Sequence, residues 1–273
     1  MSLIPLGGSG RWRLVVTLLG LMLPWGWALA AEAGPAEIAQ TLRRRYAATI
    51  VEVNTVLSVS TTAGEKVLPA REIKLGGLAT LIGPGGLAVV SLASIDPSDA
   101  LDGMRVPTSR GSMRIEVTGT EFKSVKLRFA DGMEVEARVV LKDPDLDVAF
   151  IKPIAPLPKP VAWVDLAKDA WPQLLSTGYI VGRSTRIAAG APLVRRVDII
   201  SLAEKPRRVI IPELGLPSCP MFDASGRIYG LCVRQYARGR PAGDLVLPAK
   251  ELAEIAAQAA AIKMDPATPA GEG

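Results

Sequence analysis

The chain contains no histidine and only two cysteines, Cys219 and Cys232. The first absence removes every mechanism that uses an imidazole as base, acid or metal ligand. Two thiols without histidine are too few for a zinc site of the usual ligand types. No cofactor and no metal are therefore expected. Aromatic residues make up only 5% of the chain, and Trp12, Trp25 and Trp27 among them lie in the first thirty residues. Charge of neither sign dominates. Arginines cluster at Arg43, Arg44 and Arg45, at Arg195 with Arg196, at Arg207 with Arg208, and at Arg234, Arg238 and Arg240. No aromatic residue alternates with them, so they read as solvated surface and not as a nucleic-acid site.

What is present begins with a targeting pattern. Arg11 and Arg13 precede an uncharged apolar run from Leu14 to Trp27, which ends in Ala28, Leu29, Ala30. That is a positive n-region, an h-region and a small-residue cleavage site, so residues 1–30 are expected to be a signal peptide and Ala31 the mature N-terminus. A spanning anchor needs about twenty apolar residues, whereas this run is shorter and is broken by Pro24 and Gly26. The mature chain is expected to carry no transmembrane anchor and to be exported, to the periplasm or outside the cell. Removing residues 1–30 takes away two arginines and no acid, leaving 30 basic against 27 acidic side chains, a net charge of +3. That excess is too small to indicate nucleic acid.

The remainder divides by period and punctuation. A helix is expected over 35–46, where Ile38, Leu42 and Tyr46 recur every four residues opposite the three arginines. Short runs rich in Val, Ile, Leu and Thr follow at 48–59, 78–82, 87–92, 113–117, 125–129, 133–141 and 148–152, separated by Gly83-Pro84-Gly85-Gly86, Asp131-Gly132 and Asp143-Pro144. Such spacing predicts an all-β barrel or sandwich. Residues 31–152 are thus expected to form an N-terminal β-barrel with a leading helix. Residues 153–160, with four prolines, read as a linker. A second set of β runs (174–181, 185–188, 194–202, 208–211, 220–222, 227–233 and 244–247) makes 161–247 a second barrel. A helix over 248–263 opens on Pro248, and 264–273 reads as a frayed tail.

Four stretches together resemble the trypsin-like serine proteases, and most nearly their HtrA branch. GLATLIGPGGLAVVSLASI (77–95) is similar to the strand, turn and strand that deliver the catalytic histidine. SVKLRFADGMEVEARVVLKDPDLDVAFIK (124–152) is similar to the two strands that end in the aspartate motif, and GLPSCPMFDASGRIYGLCV (215–233) lies where that family has its nucleophile loop and hairpin. GDLVLPAKELAEI (243–255) is similar to the segment that closes the second barrel and opens a helix. The resemblance implies two six-stranded antiparallel β-barrels with a cleft between them, and it extends over no PDZ domain.

Carried over position by position, the triad is degenerate. Ala93 falls at the histidine, Asp147 at the aspartate, and Pro217 at the serine, while Gly215 marks the oxyanion loop. Without imidazole nothing takes the hydroxyl proton, a loss of order 10⁴-fold or more. Pro217 removes both the hydroxyl and an oxyanion N–H, which costs about 10²–10³ in rate. Ser218 and Cys219 replace glycines of the family's loop, which implies a different loop shape. Ser218 is a candidate displaced nucleophile, with Lys142 or Lys74 as the base, or else a turn serine bonded to nearby backbone. Asp147 is either a relic of the site or a loop carboxylate that caps backbone amides or pairs with an arginine. Cys219 and Cys232 flank the turn at Ala224, Ser225 and Gly226 and fall nearly opposite each other. In an oxidising compartment they are a disulfide candidate; otherwise they are core fillers.

Three functions follow. The first is a degenerate protease fold that binds an unidentified protein or peptide, or acts as a scaffold, without proteolysis. The second is an active serine-type peptidase with Ser218 displaced into the cleft, and the third is a structural envelope component.

Overall fold

The computed structural model describes residues 33–108, 111–184, 190–237 and 240–264. The expected signal peptide, the strand expected at 185–188 and the tail from residue 265 lie outside the described residues. A 12-residue helix, α1 (Pro35–Tyr46), opens the described chain and matches the sequence reading at both ends. A 3₁₀ turn, Ala47–Thr49, passes it into the first barrel.

That barrel consists of β1 (Ile50–Ala63), β2 (Lys66–Leu81), β3 (Ala88–Ser91), β5 (Gly111–Arg128), β6 (Glu134–Asp143) and β7 (Val148–Pro153). Its order is β1-β2-β3-β7-β6-β5, closed by β5 on β1, and β4 (Arg105–Thr108) is added to the start of β5. Inward-facing residues of β1 alternate with outward ones, and Val51, Val53, Leu57 and Val59 join Leu81, Val90, Leu127 and Ile151 in a core of their own. The turn after β2 needs Gly86. Its φ is +83°, and a Cβ there would lie 2.8 Å from Leu157 and 2.9 Å from Pro153.

The second barrel, β8 (Thr177–Arg183), β9 (Pro192–Ala203), β10 (Val209–Pro212), β11 (Pro220–Phe222), β12 (Ile228–Ala237) and β13 (Arg240–Pro248), closes in the order β10-β13-β12-β11-β8-β9. The fold is thus all-β, a pair of closed six-stranded antiparallel barrels with one helix at each end, as the sequence implies. The connection is longer than the four-proline stretch. From 154 to 176 there is no helix or strand beyond a single bridge of Asp169 with Ile228, so barrel two begins at Thr177 and not at 161. This connection bonds to both barrels, with Val164 N–H donating to Leu81 O at 2.8 Å and Ala170 N–H to Ile228 O at 2.8 Å.

Both helices dock on barrel two. Tyr46 of α1 stacks on Phe222, ring centroids 4.1 Å apart, and its hydroxyl donates to Gly226 O at 2.8 Å. The helix that leads into barrel one therefore packs on its partner. The last helix, α2 (Ala249–Ala261), turns Leu252, Ala256 and Ala259 inward. Pro248 is its N-cap, with φ −58° and ψ 140°, and is not its first helical residue. Lys152 of β7 donates to Ala260 O at 3.1 Å and Ile262 O at 2.8 Å, placing a cation on orphan carbonyls at the helix C-terminus. Among the described residues no helix is long and apolar enough to cross a membrane.

The two barrels share a second apolar cluster, in which Ile50, Leu78, Leu87, Val89, Val148 and Phe150 of barrel one meet the interior and helices of barrel two. At one rim of that contact Arg183 of β8 acts as a clamp. Its guanidinium donates to Ile50 O at 2.9 Å, Gly190 O at 3.1 Å and Ala47 O at 3.3 Å. A planar fork with several donors fits three carbonyls on separate segments, and an ammonium does not. Arg183→Met is expected to lower unfolding free energy by about 2–3 kcal/mol, with Arg183→Lys recovering less than half of it. Urea unfolding of the three proteins measures this, and equal stabilities would exclude the clamp.

Candidate functional site

The three triad positions converge where the barrels meet. β3 ends at Ser91, and a 3₁₀ turn, Leu92–Ser94, carries Ala93. Opposite it, the turn between β6 and β7 delivers Asp147. Asp143 fixes that turn by accepting the Leu146 N–H at 3.0 Å, Asp147 N–H donates to Pro144 O at 3.2 Å, and Asp147 itself sits at φ +54°. Its backbone carbonyl accepts the Leu92 N–H at 3.0 Å.

Both carboxylate oxygens of Asp147 are engaged. Oδ1 accepts the Ala93 N–H at 2.7 Å; Oδ2 accepts the Ser91 hydroxyl and, at 3.0 Å, the Arg234 N–H of barrel two. Burial pushes its pKa above the usual aspartate value, and the bonds from Ser91, Ala93 and Arg234 pull against that rise without cancelling it. Of the readings open for Asp147, the geometry is that of a carboxylate capping backbone amides, one of them on the other barrel.

The loop before β11 completes the site. Pro217 is half-buried in its turn, and Ser218 is fully buried, at φ +68°. Ser218 N–H donates to Cys232 O at 2.7 Å, while Cys219 O accepts the Cys232 N–H at 2.9 Å. Two residues thus oppose one, as in a bulge whose first member is left-handed. The left-handed backbone expected of a glycine is kept with a serine in its place. Ser218 Oγ accepts the Ser91 N–H at 2.9 Å, and Ser218 O accepts the Thr80 hydroxyl at 2.7 Å. Its side chain is turned into the seam between the barrels. Lys142 lies over the Phe122 ring at 5.8 Å, and Lys74 sits on exposed β2, so neither candidate base is bonded to Ser218.

Gly215 is required sterically, since a Cβ there would fall 2.4 Å from the Asp244 Cβ. Asp244 is held by Arg234, whose Nε lies 2.8 Å from Oδ1. Cys219 and Cys232 are free, fully buried thiols, and the candidate bridge is not formed. Burial pushes both pKa values up, that of Cys232 to about 12, which suits core fillers and not nucleophiles. Sequence reasoning missed Thr80, Ser91 and Arg234. At the seam Arg234 acts through its backbone N–H, Thr80 through a lone strand hydroxyl and Ser91 through both kinds of group, so no motif announces them.

The seam generates two expectations. Ser218→Ala leaves the buried Ser91 N–H without its acceptor and is expected to cost about 1–3 kcal/mol of stability. Ser218→Gly makes the same loss but relieves about 1–2 kcal/mol of left-handed strain, so it is expected to be the more stable of the two; the reverse order in denaturant unfolding would refute this. For Asp147 the folded state binds its proton more tightly than the unfolded chain. Its contribution therefore favours folding at low pH and is withdrawn as pH rises from the ordinary value of 3.8 through the raised folded value. A carboxyl titration of Asp147 by NMR should show a midpoint above 3.8, and a midpoint at or below it would mean that the three hydrogen bonds outweigh the burial.

No family model matches the chain, and no curated protein sequence does. Solved structures do. One is the protease domain of MamO from Magnetospirillum magneticum in its apo form, at 16% identity and TM-score 0.46, covering 77% of this chain and 97% of that one. Another is the serine endoprotease from Yersinia pestis, at 12% identity and TM-score 0.54, covering 83% of this chain and 68% of that one. At 12% identity the second likeness concerns the fold alone, and with the two closed six-stranded barrels it gives the chain the trypsin-like double-barrel fold.

Proposed function

We propose that this chain is an exported, degenerate member of the trypsin-like fold that binds a peptide or protein, or acts as a scaffold, and does not cleave it. The observation that carries the reading is the state of Asp147. Its carboxylate is bound to Ser91, Ala93 and Arg234, and there is no imidazole in the chain for it to orient. Ala93 and Pro217 supply neither base nor nucleophile, and Pro217 has no N–H for an oxyanion. The displaced-nucleophile reading is disfavoured because Ser218 Oγ is buried and serves as the acceptor of a backbone N–H.

Peptide binding draws support from an unpaired edge. β2 pairs with β1 along its whole length but with β3 only at Thr80 and Leu81. Among the described residues, 66–75 of β2 thus leave one side of the backbone open to an added strand, except at Pro69, which has no donor. The purified chain is expected neither to digest unfolded casein nor to react with serine-directed phosphonate probes. Ala93→His and Pro217→Ser, singly, are expected to recover nothing, because triad members act as a unit. Casein hydrolysis by the wild type that Ser218→Ala abolishes without unfolding would replace this reading by the peptidase one. Capture of extended peptides from a library would support binding over a purely structural envelope role.

A further inference from the structure

Leu175 is the one large aliphatic residue among the three non-glycine positions of positive φ in the described chain, at φ +62°, and it is 74% exposed. A left-handed conformation opposes a bulky side chain, and exposure means that core packing does not compensate it. Three more large aliphatic residues are unusually exposed nearby: Leu174, Ile200 and Leu214. Backbone bonds gather their segments around the middle of β9. Leu175 N–H donates to Ile199 O at 2.9 Å, Ile199 N–H to Ser176 O at 3.0 Å, and Glu213 N–H to Asp198 O at 2.9 Å. Ile200 is itself the extra residue where β9 slips register against β10, between the pairs Ile211 with Ser201 and Pro212 with Ile199. The four exposed aliphatic side chains thus lie on hydrogen-bonded neighbouring segments and form an apolar patch, the kind of surface that marks interaction sites.

We propose that this patch is the core of an isologous interface between two copies of the chain. Its composition fits that occupant: its four exposed large side chains are all aliphatic, as in homodimer interfaces, which are more apolar than transient ones. Its rim carries both signs. Arg196 and Asp198 lie two residues apart on the same side of β9, share Thr177 Oγ1 at 3.4 Å each, and form no ion pair within the chain among the described residues. A two-fold axis that brings two copies of this rim together places each arginine against the other copy's acids, Asp198 and Glu213, which a partner of a single charge sign would not do. The strained Leu175 backbone then presents a side chain whose role is outside its own fold. The proposal is independent of the absence of proteolysis.

The test is sedimentation equilibrium of the chain, purified as it accumulates in cells, with four variants. The wild type is expected to be a dimer, and Ile200→Ser to weaken it at least about tenfold in Kd. Leu175→Gly should raise Tm by a few degrees while weakening the dimer by a similar factor, a combination that a merely structural leucine would not give. Arg196→Glu should weaken dimerisation, and Arg196→Glu combined with Asp198→Arg should restore it. A wild type that remains monomeric at high concentration overturns the proposal, as does a dimer whose Kd is unmoved by Ile200→Ser and Leu175→Gly. Failure of the double charge swap to restore a dimer that the single reversal weakened rejects the two-fold pairing.

Discussion

The constraint on which the rest depends is the burial of the Asp147 carboxylate at the seam where the two barrels meet. A carboxylate removed from water is stable only if hydrogen-bond donors replace the solvent. Three do so, and each comes from a different segment: Ser91 from the end of β3, Ala93 from the turn that follows, and Arg234 from β12. Satisfying that one group therefore fixes the turn at 92–94 and ties barrel one to barrel two. Ser218 repeats the pattern from the opposite side, accepting from the Ser91 N–H and the Thr80 hydroxyl. Ser91 is the hinge of the arrangement, since its hydroxyl serves Asp147 and its amide serves Ser218.

This arrangement gives a physical reason for an aspartate at position 147 that involves no imidazole: without it two backbone N–H groups and a hydroxyl lose their acceptor in a buried seam. The same reasoning bears on the loop at 215–219. A serine at φ +68° is tolerated because its backbone and side chain make bonds on both barrels, so the tight turn holds without a glycine. In the proposed reading, then, the scaffold of a catalytic site has been kept as a joint between barrels.

Much of the fold was readable from residues alone, and the exceptions share a cause. α1 and β11 were placed to the residue, because a clean four-residue period and a short apolar run between turn formers leave little choice. β2 from 66 to 77, β4 and the first part of β5 went unread or were read too short. These strands project beyond the barrel and are largely exposed on both faces, so no alternation of apolar and polar residues marks them, and Pro69 and Pro107 argue locally against strand. The positions that the resemblance assigns to the triad, Ala93, Asp147 and Pro217, come from motif order. Their partners do not, because the amides of Ala93 and Arg234 would serve with any non-proline side chain. The orientation of Ser218 depends on a left-handed backbone that only the folded loop imposes.

The three left-handed non-glycine residues also differ in what holds them. Asp147 and Ser218 are buried, and each uses its side chain to satisfy a backbone donor across the seam, so their strain is offset by bonds that truncation of the side chain would break. Leu175 has an apolar side chain and is exposed. Its own N–H bonds Ile199 O, and Ser176 closes the turn beneath it through N–H and Oγ bonds to Gln173 O at 3.1 and 2.6 Å. Those are backbone bonds and a neighbour's hydroxyl bond, all of which a glycine at 175 would leave in place. The first two positions are thus explained by the chain's own stability, and the third is not. That asymmetry singles out the β9 neighbourhood as the part of this surface whose design refers to something beyond the single chain.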